Sequence, residues 1–306
     1  MINNIDFSLD IKHLCENIYS LEDRQINQDL FKNYDDIDSA INFLKDNRLI
    51  HYFAIKFKEK YKRNVKIIYS IQEYELYKRN LRMNLEIICS LIKDSPFIVI
   101  KTISSYPHTT SDLDILVKEK SLASYIKNRM AHFKYISDLP IDVSDNICWG
   151  GVVPIHNDFI WSNVKEINID GIFIKIPNSY LDTLIRIAHI PFELSVIRLG
   201  ELLHIYKISK DLDWEILEKE AELMGWLKTF KRMKYILEEL HYALFAINFF
   251  KDTPLIMKRK IYNFPYYLSF NFLLKAVLEK RAWRKILGAR YIIKDRLQLC
   301  LRKNFL

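Results

Sequence analysis

Between Phe97 and Ile176 the chain abandons helical periodicity for short β-branched runs, and this break constrains the fold more than any other feature of the sequence. Phe97-Ile98-Val99-Ile100, Leu113-Asp114-Ile115-Leu116-Val117 and Ile141-Asp142-Val143 are each bounded by Pro, Ser, Thr or Asp, the pattern of strands in one small sheet. Ser121 to Met130 reads as a helix between the second and third strands, opened by a Ser at its N-cap. Further on, Glu166 to Ile169 and Ile172 to Ile176 flank Asp170-Gly171, a pair suited to the positive backbone angles of a two-residue hairpin turn.

On either side the apolar spacing is helical. Before the break it predicts helices over Ile11 to Leu21, Ile37 to Leu44, Leu49 to Phe57 and Tyr77 to Ile92. After Pro177 it predicts Tyr180 to His189, Glu193 to Ile208, Asp213 to Met224 and Trp226 to Phe249, with Pro191, Gly225 and Pro254 as breaks. Only 6 Gly and 8 Pro in 306 residues exclude a turn-dense all-β design, which needs residues that adopt special backbone angles. The expectation is an α+β fold, with a small mixed sheet core at 96–178 between an N-terminal helical region, 1–95, and a C-terminal helical region, 179–306.

With 50% apolar residues the chain has ample material for a core, which excludes long-range disorder. Cys15, Cys89, Cys148 and Cys300 form no Cys-x-x-Cys pair, so neither a disulfide framework nor a zinc finger is indicated. The start Met1-Ile2-Asn3-Asn4 lacks a signal-peptide pattern and no apolar run is long enough for a bilayer, so a cytoplasmic location is expected. The net charge of +8 is uneven: residues 258–306 hold 13 Lys and Arg against Glu279 and Asp295, leaving the rest of the chain net negative. Clustered cations gain affinity for polyanions by displacing counterions, so this basic C-terminal region is a candidate contact for nucleic acid. A packed helix with a basic outer face explains the same pattern and is favoured.

Chemistry concentrates in Ser111-Asp112-Leu113-Asp114-Ile115-Leu116-Val117. On a strand alternate side chains share a face, so Asp112 and Asp114 project together while Leu113 and Ile115 pack behind them. Paired carboxylates repel unless a hard cation sits between them, and Mg2+ is commonly held by one or two carboxylates plus substrate phosphates. Asp142, in the next strand, is the candidate third acid, ahead of Asp138, Asp145 and Asp158 because apolar residues flank it on both sides. Elsewhere no Ser-His-Asp arrangement and no Gly-x-Ser-x-Gly elbow is visible, so a hydrolase reading has no anchor. His108 reads as a surface-loop residue and His189 as a partly buried helix residue; Trp149, Trp161 and Trp226 are candidates for stacking on a base.

The apolar strand ending in Lys101-Thr102, the loop Ser104-Ser105-Tyr106-Pro107-His108-Thr109-Thr110 and the acidic strand from Ser111 to Val117 together resemble the nucleotidyltransferase superfamily. Within it they are similar to uncharacterised nucleotidyltransferase-family proteins that carry Ser-Asp-Ile-Asp-Leu-Leu-Val. The resemblance covers about residues 80–230 and is closest at Ser111 to Val117. It implies a Mg2+-dependent enzyme that moves an NMP from an NTP to an acceptor, either RNA or a small molecule. Asp112, Asp114 and Asp142 would be both catalytic and metal-binding, and Lys101, Thr102, Ser104, Ser105 and Ser111 would meet the nucleotide. Lys101-Thr102 stands where the superfamily has Gly-Gly or Gly-Ser, small residues that let backbone N–H groups approach phosphate. Either this loop binds phosphate in another geometry, or the chain is an inactive binding protein on the same scaffold, such as a toxin–antitoxin component or nucleic-acid adaptor.

Overall fold

The computed structural model describes residues 7–19, 37–92, 95–133, 137–149, 151–246, 248–250 and 263–279. Four helices come first: α1 (Phe7–Tyr19), α2 (Ile37–Asp46), α3 (Ile50–Lys56) and α4 (Val65–Ile92). The middle of the chain forms β1 (Phe97–Ile100), β2 (Leu113–Val117), α5 (Lys120–Phe133), β3 (Ile141–Ser144), α6 (Asn157–Ser162), β4 (Val164–Ile169) and β5 (Ile172–Pro177). Then follow α7 (Ser179–His189), β6 (Val196–Ile197), α8 (Leu199–Ser209), α9 (Trp214–Leu223), α10 (Leu227–Phe245), β7 (Tyr266–Tyr267) and α11 (Phe270–Glu279). The fold is α+β, as its two sequence periodicities require.

The principal sheet has the order β3-β2-β1-β5-β4, antiparallel at β1–β2 and β4–β5 and parallel at β2–β3 and β1–β5. Asp170 and Gly171 both have positive φ and join Ile169 to Ile172, the tight hairpin expected there. Strand alternation sorts the side chains onto two faces. Val99, Leu113, Ile115, Val117 and Val143 pack under α4 and α5, through Leu81, Leu85, Ile88 and Ile126. Ile98, Ile100 and Leu116 belong to the larger core shared with α1 to α3 and α7 to α10. Asp112 and Asp114 are in phase with Leu116, and Asp142 is out of phase with Val143, so all three acids lie on the sheet face that looks toward the larger core.

Several helix boundaries differ from the periodicity, among them the start of α1, at Phe7 rather than Ile11. The fourth helix begins at Val65 rather than Tyr77, because the Asn64 side chain accepts the Lys66 and Ile67 N–H groups at 3.0 and 3.1 Å and caps it. The helix predicted from Glu193 is interrupted: a π-helical turn at Ile190–Leu194 ends in Ser195, with φ 59°, and β6 pairs with β7 before α8 starts at Leu199. That restart depends on a distant partner, since Asn47 Oδ1 accepts the Leu199 N–H at 2.9 Å. Near the other end, α10 stops at Phe245, where Ala246 takes φ 58°. Most of the basic region, 258–262 and 280–306, lies outside the described residues, and among those described no helix is long and apolar enough to cross a membrane.

Gly200 fixes the approach of α8 to the rest of the molecule. Its N–H donates to the Asn47 carbonyl at 3.1 Å. A Cβ there would meet the Tyr106 hydroxyl and lie 2.8 Å from the Asn47 carbonyl oxygen. Alanine gains about 1 kcal/mol in helix propensity, whereas overpacking a buried contact costs about 1–3 kcal/mol. Because one clashing atom is backbone, the clash should win: Gly200→Ala is expected to lower the urea midpoint, and an unchanged or raised midpoint would show that α8 can shift freely.

Candidate active site

The strand register assembles the acids. Asp114 pairs across β1–β2 with Ile100 and across β2–β3 with Asp142, and Asp112 precedes it by two residues on the same face. All three line a cleft of about 500 Å3, within the range of small-ligand sites. Ser111, just before the strand, donates to Asp112 Oδ1 at 3.0 Å. Thr110 donates to the Asp112 carbonyl at 2.7 Å and is in turn 3.0 Å from the Tyr77 hydroxyl of α4, so the long helix anchors the entry to the acidic strand.

Cations already engage two of the acids. Lys101 Nζ is 2.9 Å from Asp114 Oδ2 and 5.7 Å from the Trp149 ring centre, while Lys127 Nζ is 4.0 Å from Asp142. Burial pushes the Asp114 carboxyl up to about 6; Lys101 opposes the shift, and Asp112 and Asp142 add to it. That field is one a divalent cation would relieve, so the acids suit Mg2+ in kind. No group of three His, Cys, Asp or Glu side chains among the described residues is gathered tightly enough to form a finished ligand set.

Lys101 has φ 60°, and the Thr102 N–H closes a tight turn onto the Ile100 carbonyl at 2.7 Å. A non-glycine residue in such a conformation costs about 1–3 kcal/mol and persists where its surroundings over-determine it. Of the residues expected to meet nucleotide, only Lys101 and Ser111 line the cleft. Thr102 is buried with its hydroxyl on the Ile100 carbonyl. Ser104 accepts from Arg186 at 3.2 Å, and Ser105 is bound to His204, so both are committed to internal partners.

That commitment exposes an arrangement the sequence did not reveal. Ser105 Oγ is 2.9 Å from His204 Nδ1, and His204 Nε2 is 2.8 Å from Asp182 Oδ2. The Ser105 backbone N–H also donates to Nδ1, at 3.0 Å; Nδ1 is therefore the acceptor and the ring proton is on Nε2, facing the carboxylate. Burial holds His204 below its usual pKa, consistent with a neutral ring. Burial works against ionisation of Asp182 too, but Arg186, whose Nε is 2.9 Å from Oδ1, helps hold its carboxyl below the usual range. Ser105 and His204 are not among the cleft-lining residues, so this set fastens the loop after β1 to α7 and α8 rather than presenting a nucleophile.

The helical wall adds residues that no motif announced: Arg48, Arg186, His189, Glu193 and Glu201. Arg48 Nη1 binds Glu201 Oε1 at 2.7 Å. His189 lies 4.8 Å from the Trp149 ring, and burial, with Lys101, Arg48, Arg186 and Arg198 adding, pulls it down to about 2. His108, expected at the surface, is instead buried beside Tyr106, with its pKa lowered to about 3 by burial and nearby arginines. Of the three tryptophans, Trp149 lines the cleft, Trp161 packs against the larger core, and Trp226 is fully buried and donates to the Pro154 carbonyl at 2.8 Å. Comparison with protein-family models, curated proteins and solved structures gives no match.

Proposed function

We propose that the chain is a Mg2+-dependent nucleotidyltransferase-like enzyme that transfers an NMP from an NTP to an acceptor. The observation that carries this reading is the register that sets Asp114 beside Asp142, with Asp112 on the same face of one cleft. Bound by these acids, Mg2+ would neutralise charge developing on the phosphates. Asp142, with its side chain 63% exposed, accepts the proton of the acceptor hydroxyl. The acceptor oxygen then bonds to the α-phosphorus while the bond to the bridging oxygen breaks, and pyrophosphate leaves. Lys101 and Ser111 meet the phosphates from the strand side. No covalent intermediate is required, and the protein's part is positioning and electrostatics.

The second reading, an inactive binding protein on the same scaffold, is favoured by one observation: Thr102, Ser104 and Ser105 are turned to internal partners. Calorimetry with each NTP separates the two. Wild type should bind an NTP only with Mg2+, and Asp112→Asn/Asp114→Asn should weaken that binding at least tenfold while remaining folded. Absence of binding to folded wild type would sink the enzyme reading and leave the binding-protein one.

A further inference from the structure

We propose that the Lys101 ammonium is itself one of the cations of the acidic centre, so that Asp112, Asp114 and Asp142 take a single divalent ion beside it. The inference rests on the metal-binding reading given above. Asp114 is the middle acid, flanked in register by Ile100 on one strand and Asp142 on the other. Any ion shared between the strands must therefore reckon with whatever already sits on its carboxylate. What sits there is Lys101 Nζ, 2.9 Å from Oδ2, in a pair whose side chains are only 20% and 15% exposed. Such a pair is not the loose, solvated contact that competes weakly for its partners.

The backbone supports the same assignment independently. At Lys101 the chain leaves β1 through a positive-φ turn that suits glycine, closed by the Thr102 N–H on the Ile100 carbonyl. The ion pair and the Trp149 ring, 5.7 Å from the ammonium, hold a lysine in that conformation. Lys127 offers a contrast: its 4.0 Å contact with Asp142 joins side chains that are 56% and 63% exposed, a pair that an incoming ion displaces readily.

In a centre with two metal ions, one serves the attacking oxygen and the other the leaving oxygen. Here one of the positive charges is carried by the protein. It cannot be chelated away, and it reduces by one the number of ions the acids recruit.

Counting bound Mn2+ per full-length chain by electron paramagnetic resonance tests this. Wild type should bind one ion, and Lys101→Met and Lys101→Gly should each bind one more. The glycine variant fits the positive φ, so it keeps the turn even if the methionine variant disturbs it. A count that does not rise when the ammonium is removed overturns the inference. If wild type and variants alike bind one ion, the Lys101 assignment fails while the metal site stands; if none of them binds Mn2+, both fail.

Discussion

Lowering the pH from 7.5 to 5.5 is expected to remove about 3 kcal/mol of folding stability through two imidazoles, the buried His108 and the half-buried His189. Their folded values lie at about 3 and about 2, lowered by burial and by neighbouring cations. In the unfolded chain both titrate near 6.5. A depressed histidine pKa means that the unfolded state binds more protons below 6.5, so the stabilisation is complete above that value and is lost as pH falls. Across this interval each group contributes about 1.4 kcal/mol. His51 and His204 are also lowered and act in the same direction, while Asp114, raised to about 6, acts oppositely and offsets about 1 kcal/mol of the loss. Urea unfolding at the two pH values measures the loss directly, and equal stabilities would be incompatible with rings held neutral at these positions.

Asp182→Asn should cost more, about 3–5 kcal/mol, because it leaves the Arg186 guanidinium buried without a counter-charge. The Arg186 side chain is only 8% exposed, and Asp182 is its sole ion-pair partner among the described residues. The remaining bonds of Arg186, to the Ile103 carbonyl and Ser104, are to neutral oxygens. A double variant, Asp182→Asn/Arg186→Met, should recover part of the loss, since no charge is then stranded. Equal stability of wild type and Asp182→Asn would show that the carboxylate is not the counter-charge on which this corner of the fold depends.

The sheet is legible in the sequence because its strands are short, apolar and cleanly bounded, so that period-two alternation alone puts Asp112 and Asp114 on one face. The strand position of Asp142 is legible for a related reason, its place between two β-branched residues of β3. The helical wall was not legible. Arg48 and Glu201 are separated by 153 residues and meet through packing, which leaves no local spacing to read. Ser105, His204 and Asp182 escaped notice likewise, since their contacts span 99 and 22 residues. The false helix start at Glu193 came from a long apolar stretch in which Val196-Ile197 finds a strand partner some 70 residues later, at Tyr266-Tyr267. Local propensity yields there to a tertiary contact.

The cap that Asn47 supplies to α8 also bears on how the chain is made. Its donor, the Leu199 N–H, leaves the ribosome 152 residues after Asn47 does. At roughly 5–20 residues per second that is a delay of order ten seconds. Through that interval the Asn47 carboxamide has no α8 to cap. The core shared by α2, α3 and α8 is therefore completed only late in synthesis, and the nascent helices are exposed meanwhile to whatever binds unfinished apolar surfaces.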